Sequence, residues 1–225
     1  MPLSNNELCA VTLARYVDSE LIFEQETITT ALGLSKSGFC NMFCMQYLID
    51  VLNQENTVPK RVFTEMKVKG PTYFKQIMQN QDSYVKNFSK INYGAVHSGK
   101  NLEFESTNEN KQLISLLSRS KRGTLPVKKV IYSSDDFIRN IKSETMLLPD
   151  RTCCCLVQFY MKDGLDEVTG GHALAFVCQN SSSQKWFALD PNMGLLQFRE
   201  GELSGIAANF WGMYQPANLV ITAVI

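Results

Sequence analysis

The chain has 225 residues, 44% of them hydrophobic, enough apolar side chain to fill a core without disulfide or metal staples. Lys and Arg total 22 against 22 Asp and Glu, so no global charge draws the protein to nucleic acid or an anionic membrane, and recognition of a partner by shape is expected.

From the start of the chain, the first residues lack a basic stretch followed by an apolar core, which predicts no secretory signal. Residues 4–34 read as helical, with Ser4 as N-cap and Leu8, Val11, Tyr16, Leu21 and Ile22 as apolar positions; a second short helix begins near Gln25 and ends at Gly33. The clearest helix is 40–54, where Phe43, Cys44, Tyr47, Leu48, Val51 and Leu52 recur at intervals of three and four and form a core-facing stripe. From 56 to 110 the signal weakens to short helical pieces around 73–78 and 84–88; residues 70–121, rich in Asn, Gln, Lys and Tyr, suit either a substrate-recognition insertion or a solvated helical cap. A helix over 110–119, a strand over 127–132 and a helix capped near Ser134 and running to Lys142 follow. After Pro149 the pattern changes to strands at 153–161, 172–178, 186–190, 195–198 and 219–225, with a short helix over 203–214. Helices first and antiparallel strands second describe an α+β fold, read as one domain over 1–225 with a mainly helical subregion (1–150) and a mainly sheet subregion (151–225).

Seven cysteines are an odd number, and three of them are consecutive, which points to a reducing compartment rather than a disulfide framework. In a strand, Cys153 and Cys155 would face away from Cys154, so the triplet reads as packing. No metal and no cofactor are expected, because Cys-x-x-Cys pairs with nearby His partners are absent. No apolar run approaches the ~20 residues of a membrane span.

Three residues carry the chemistry. Cys40 opens the clearest helix, where unpaired N–H groups favour thiolate over thiol. Gly38 permits a close backbone approach there, and the Cys40 amide can donate to an oxyanion. Cys44 sits one turn deeper, on the apolar stripe. His172 and Asp190 flank the turn-forming run Asn180-Ser181-Ser182-Ser183, and a hairpin centred on Ser181 puts them opposite each other, to within one residue of register. Opposed side chains on one face have Cβ atoms about 4.5–5.5 Å apart. Asp190 would then fix the tautomer of His172 and leave its other nitrogen for the thiol. His97 reads as part of an irregular surface loop.

Gly38-Phe39-Cys40 opening a helix, His172-Ala173 beginning a strand and Asp190-Pro191-Asn192-x-Gly194 closing the next resemble papain-like cysteine proteases, most closely the YopT-type family of bacterial effector proteases. The resemblance implies a papain-like fold with the nucleophile helix packed on the sheet, and implies Cys40 as nucleophile, His172 as general base and Asp190 as its orienter. It also implies a host protein as substrate, with delivery from the bacterial cytoplasm by a specialised secretion system into the host cytosol; a monomer is expected. The Asp-Pro-x-x-Gly ending occurs in bacteriocin-processing peptidases too. Papain-like enzymes usually carry Gln or Asn five or six residues before the nucleophile to hold the oxyanion, whereas this chain has Ser35 and Leu34, which leaves Ser35 as the candidate donor. The same triad also serves deamidation, acyl transfer or removal of a ubiquitin-like modifier, and Ser35 in place of an amide would suit a catalytically silent binding module.

Overall fold

The computed structural model describes residues 3–33, 39–54, 57–89, 127–131, 133–145, 152–162, 168–179 and 185–224. Its framework is one antiparallel sheet. The elements in chain order are α1 (Asn5–Ala14), β1 (Val17–Ile22), α2 (Gln25–Ala31), α3 (Cys40–Asn53), α4 (Pro59–Lys67), α5 (Pro71–Ser89), β2 (Val127–Ile131), α6 (Ser134–Thr145), β3 (Cys153–Lys162), β4 (Val168–Gln179), β5 (Lys185–Asp190), β6 (Gly194–Arg199), a 3-10 turn (Glu200–Glu202), α7 (Leu203–Tyr214) and β7 (Asn218–Val224). The seven described strands lie in the order β1-β6-β5-β4-β3-β7-β2. The C-terminal strand is therefore internal, between β3 and β2.

Alternation along the strands divides two cores. On one face Cys154, Leu156, Ala173, Ala175, Val177, Phe187 and Leu189 meet α3, α4 and α5. On the other, Cys155, Val157, Leu174, Phe176, Trp186 and Ala188 meet Phe137 and Ile141 of α6 and Ile206 and Phe210 of α7. Because both faces are covered, β3 is apolar almost throughout: every residue from Cys153 to Tyr160 is buried, Gln158 included. Cys154 and Cys155 fall in opposite cores, as strand geometry requires.

Three local differences from the sequence reading have physical causes. Residues 17–22 are a strand rather than helix, because β1 pairs with the exposed edge of β6 (Val17 with Leu196, Ile22 with Gly194), and tertiary pairing overrides a weak helical pattern. The helix before it ends at Ala14, with Leu13 buried and Leu8 and Val11 exposed; Ser4 caps it through a reciprocal capping box with Glu7. Pro59 and Pro71 each open a helix, at the position where a missing N–H costs nothing. These are α4, with Val62, Phe63 and Met66 buried, and α5, continuous where two short pieces were expected. The cap of α6 is Ser133 rather than Ser134: its hydroxyl accepts from the Asp136 N–H at 3.2 Å and donates to the Asp136 carboxylate at 2.8 Å.

The sheet also draws β1 and β2 from the first 150 residues, so helices and strands are more interleaved than a division into halves implies. Among the described residues no helix is long and apolar enough to cross a membrane. The expected helix over 110–119, His97, Leu34, Ser35 and Gly38, and the turn-forming run 180–183 lie outside the described residues.

Candidate active site

Cys40 is the first residue of α3, preceded by Phe39, which supplies no side-chain cap. The first-turn N–H groups of a helix have no intrahelical partner; here the Met42 N–H finds one in Gln81 Oε1 of α5, at 3.0 Å. Phe39 and Phe43 are fully buried beside Phe23 and Phe74. Phe23 stacks on Phe43 at 4.7 Å, and Phe39 meets Phe43 edge to face at 5.6 Å. Burying each such ring is worth about 1.5–3 kcal/mol, so the helix end that presents Cys40 is anchored by its neighbours.

Cys44 lies one turn on, in a different setting. It is fully buried, and its thiol donates to the Ala173 carbonyl at 3.3 Å. Burial, then the proximity of Cys40 and Asp190, pushes the thiol well above its ordinary range, which makes Cys44 a neutral packing residue. Cys40 keeps 8% exposure.

His172 and Asp190 come together, through a register other than the expected one. β4 pairs with β5 as Ala175 with Leu189 and Gln179 with Lys185, which centres the hairpin midway between 179 and 185, on residue 182, rather than on Ser181. Continued outward, this register sets Asp190 opposite Leu174, with His172 two residues further along β4. A two-residue offset keeps both side chains on one face. The pair is diagonal, and His172 Nε2 lies 2.9 Å from Asp190 Oδ1.

At His172 the neighbouring strand β5 has already ended, so the ring sits where the two helix layers approach each other around the end of the sheet. Tyr214, the last residue of α7, stacks on it at 4.4 Å between ring centroids. From α3, Cys40 lies near enough to act on the ring electrostatically; with Nε2 engaged by Asp190, Nδ1 is the nitrogen left for the sulfur. Burial alone would lower the basicity of His172, but the charge and hydrogen bond of Asp190, with Cys40 adding to them, raise its pKa from 6.5 to about 10.

Asp190 is fully buried, and buried charges persist only where they are paired and hydrogen-bonded. Its Oδ1 also accepts the Asn192 N–H at 2.8 Å, and its Oδ2 accepts the Tyr214 hydroxyl at 2.6 Å. Burial and the Asp190 charge hold the Tyr214 phenol far above its ordinary range, so it remains a donor. Tyr214 is the site neighbour that sequence reasoning passes over: it reads only as the end of a short helix, and nothing near it in sequence marks it as a partner of a residue 24 positions earlier.

The turn after Asp190 is shaped by Gly194, with φ +118. A Cβ there would lie 2.0 Å from the Leu21 carbonyl oxygen and 2.9 Å from the Phe23 nitrogen. The glycine lets β1 close against the start of β6. Among the described residues no cluster of three or more His, Cys, Asp or Glu is placed to hold a metal ion.

No family model and no curated protein sequence matches the chain significantly. Among solved structures, the fold is similar to that of AvrPphB, an avirulence protein of Pseudomonas. The TM-score is 0.51 over 95% of this chain and 99% of that one, at 11% sequence identity. Identity this low speaks for architecture alone, and the chain therefore has the helices-and-antiparallel-sheet architecture of the papain-like protease fold that AvrPphB has.

Proposed function

We propose that this chain is a thiol protease of the bacterial effector kind, with Cys40 as nucleophile, His172 as its acid and base, and Asp190 as the group that orients His172. The observation that carries the reading is the buried hydrogen-bonded group Tyr214–Asp190–His172, with Cys40 at the first turn of α3 near enough to act on the His172 ring. The fold supports it, since its structural neighbour is an effector cysteine protease.

In this reading the ring, held protonated at neutral pH by Asp190, has already taken the thiol proton on Nδ1, and the thiolate sulfur attacks a peptide carbonyl. The first-turn N–H of Cys40 holds the developing oxyanion, with Ser35 as a second donor. His172 then protonates the leaving amine. In the second half the neutral ring takes a proton from water, the hydroxide attacks the thioester, and the carboxylic acid leaves as the thiolate and the protonated ring return to their starting state. Asp190 keeps Nε2 protonated throughout and offsets the charge on the ring. The substrate is a host protein, reached after delivery from the bacterial cytoplasm into the host cytosol, and the chain acts as a monomeric catalytic domain.

The test compares protein N-termini in host-cell extract treated with wild type and with Cys40→Ala. New termini with wild type alone are expected. The same new termini from both would contradict the reading, and glutamine converted to glutamate with no new terminus would move the chemistry to deamidation.

A further inference from the structure

Gln25, the first residue of α2, is only 9% exposed, yet it is polar and lies 15 residues ahead of Cys40 in the chain. Both ends of its carboxamide are engaged. Oε1 accepts the Phe39 N–H at 3.0 Å, and Nε2 donates to Asn192 Oδ1 at 2.6 Å. Its own N–H, which helix geometry leaves without an intrahelical partner, donates to the Pro191 carbonyl at 2.8 Å. The Phe23 N–H donates to the Met193 carbonyl at 3.2 Å, which binds the same two segments once more.

What matters is where these partners sit. Phe39 immediately precedes Cys40, and the Asn192 N–H is itself a donor to Asp190 Oδ1. A route of hydrogen bonds thus runs from the backbone entering the nucleophile helix, through the Gln25 side chain and then Asn192, to the carboxylate that holds His172. Among the described residues, the other hydrogen bonds from α3 to β4 and β5 are the thiol contacts of Cys44 to the Ala173 and Leu189 carbonyls, at 3.3 and 3.9 Å. A thiol is a weak donor, so the Gln25 link is the stiffer of the two.

We propose that Gln25 is a positioning residue for this site, a brace that sets the approach of Cys40 to the His172–Asp190 pair. The inference rests on the triad reading above and deepens it. The Gln25 carboxamide is held between the Phe39 N–H and Asn192 Oδ1, so its contribution is geometric, and a displacement of about 1 Å at a reacting pair can cost on the order of 100-fold in rate.

The experiment measures the rate of iodoacetamide alkylation at each cysteine at neutral pH, resolved by peptide mass spectrometry. It uses the full chain, Gln25→Met, Asn192→Ala and the double variant. Gln25→Met keeps the side-chain length and removes both hydrogen bonds. Asn192→Ala lies on an exposed turn and keeps the main-chain bond to Asp190, so it preserves the test if the first variant does not fold. Each single change is expected to slow alkylation of Cys40 by about 10- to 100-fold while Cys44 and Cys178 stay protected. The double variant is expected to be slowed by less than the product of the two single effects, because both changes cut the Gln25–Asn192 link, Asn192→Ala removing besides it the 3.4 Å bond from Asn192 Nδ2 to the Tyr214 hydroxyl. An unchanged Cys40 rate in a folded single variant overturns the brace, as does additivity in the double variant, or slowing accompanied by exposure of Cys44, which marks a general loss of packing. Failure of the underlying reading looks different: Cys40 of the unaltered protein then alkylates no faster than Cys9.

Discussion

Asp190 is a charge without solvent, satisfied by His172, the Asn192 main chain and Tyr214. Its effect on His172 has a definite sign. The folded pKa, about 10, is above the ordinary 6.5. The pair's contribution to stability is therefore fully present below pH 6.5 and is lost as pH rises through about 10. Asp190→Asn removes the charge that raises the pKa and leaves the burial that lowers it. Proton NMR of the His172 ring is expected to follow a titration near 10 in the wild type and one below 6.5 in the variant, with stability in the variant flattened across that window. A His172 titration unmoved by the substitution would show that Asp190 does not control the ring. At this scale much was legible: helix phase separates Cys40 at the N-terminus from Cys44 on the stripe, and strand parity keeps His172 and Asp190 on one face. Gln25 and Tyr214 were not legible, because each acts through a tertiary contact with no local pattern.

Strands and helices differ in how well their sequences announce them. α3 and α7 are plain from their spacing, and their observed bounds, Cys40–Asn53 and Leu203–Tyr214, match the expected ones to within a residue. β1 is not, since only Leu21 along it is fully buried and its identity comes from the β6 edge it meets. The hairpin register slipped for a related reason: turn-forming residues fill 180–183, and nothing among them marks which forms the centre. Gly194 connects this scale to the site. At φ +118, with the Leu21 carbonyl oxygen 2.0 Å from where an alanine methyl would stand, Gly194→Ala must push β1 away from the turn that follows Asp190. Denaturant unfolding is expected to register a loss on the order of 2–4 kcal/mol, with slower Cys40 alkylation in the fraction that remains folded. A loss within experimental error would mean that the turn relaxes freely and that the glycine does not hold the site.

The whole molecule is a sheet with a helix layer on each face and the candidate site at one end, where α3 and α7 both reach His172. The broad class, helices with an antiparallel sheet, follows from the change of period after Pro149. The burial of both sheet faces does not follow from it, because a fully covered antiparallel strand such as β3 loses the alternation that marks inside from outside. The architecture places a thiol, an imidazole and a carboxylate in one buried line, and their reactivity is the property that separates a protease from a silent scaffold. Its most direct test is the iodoacetamide alkylation rate of each of the seven cysteines as a function of pH, in the wild type and in His172→Ala. Cys40 is predicted to react faster than every other cysteine at and below neutral pH, where an ordinary thiol with pKa ~8.5 is mostly protonated, and to lose that advantage when His172 is removed. A Cys40 that reacts no faster than Cys9, or whose rate is indifferent to His172, would contradict the account.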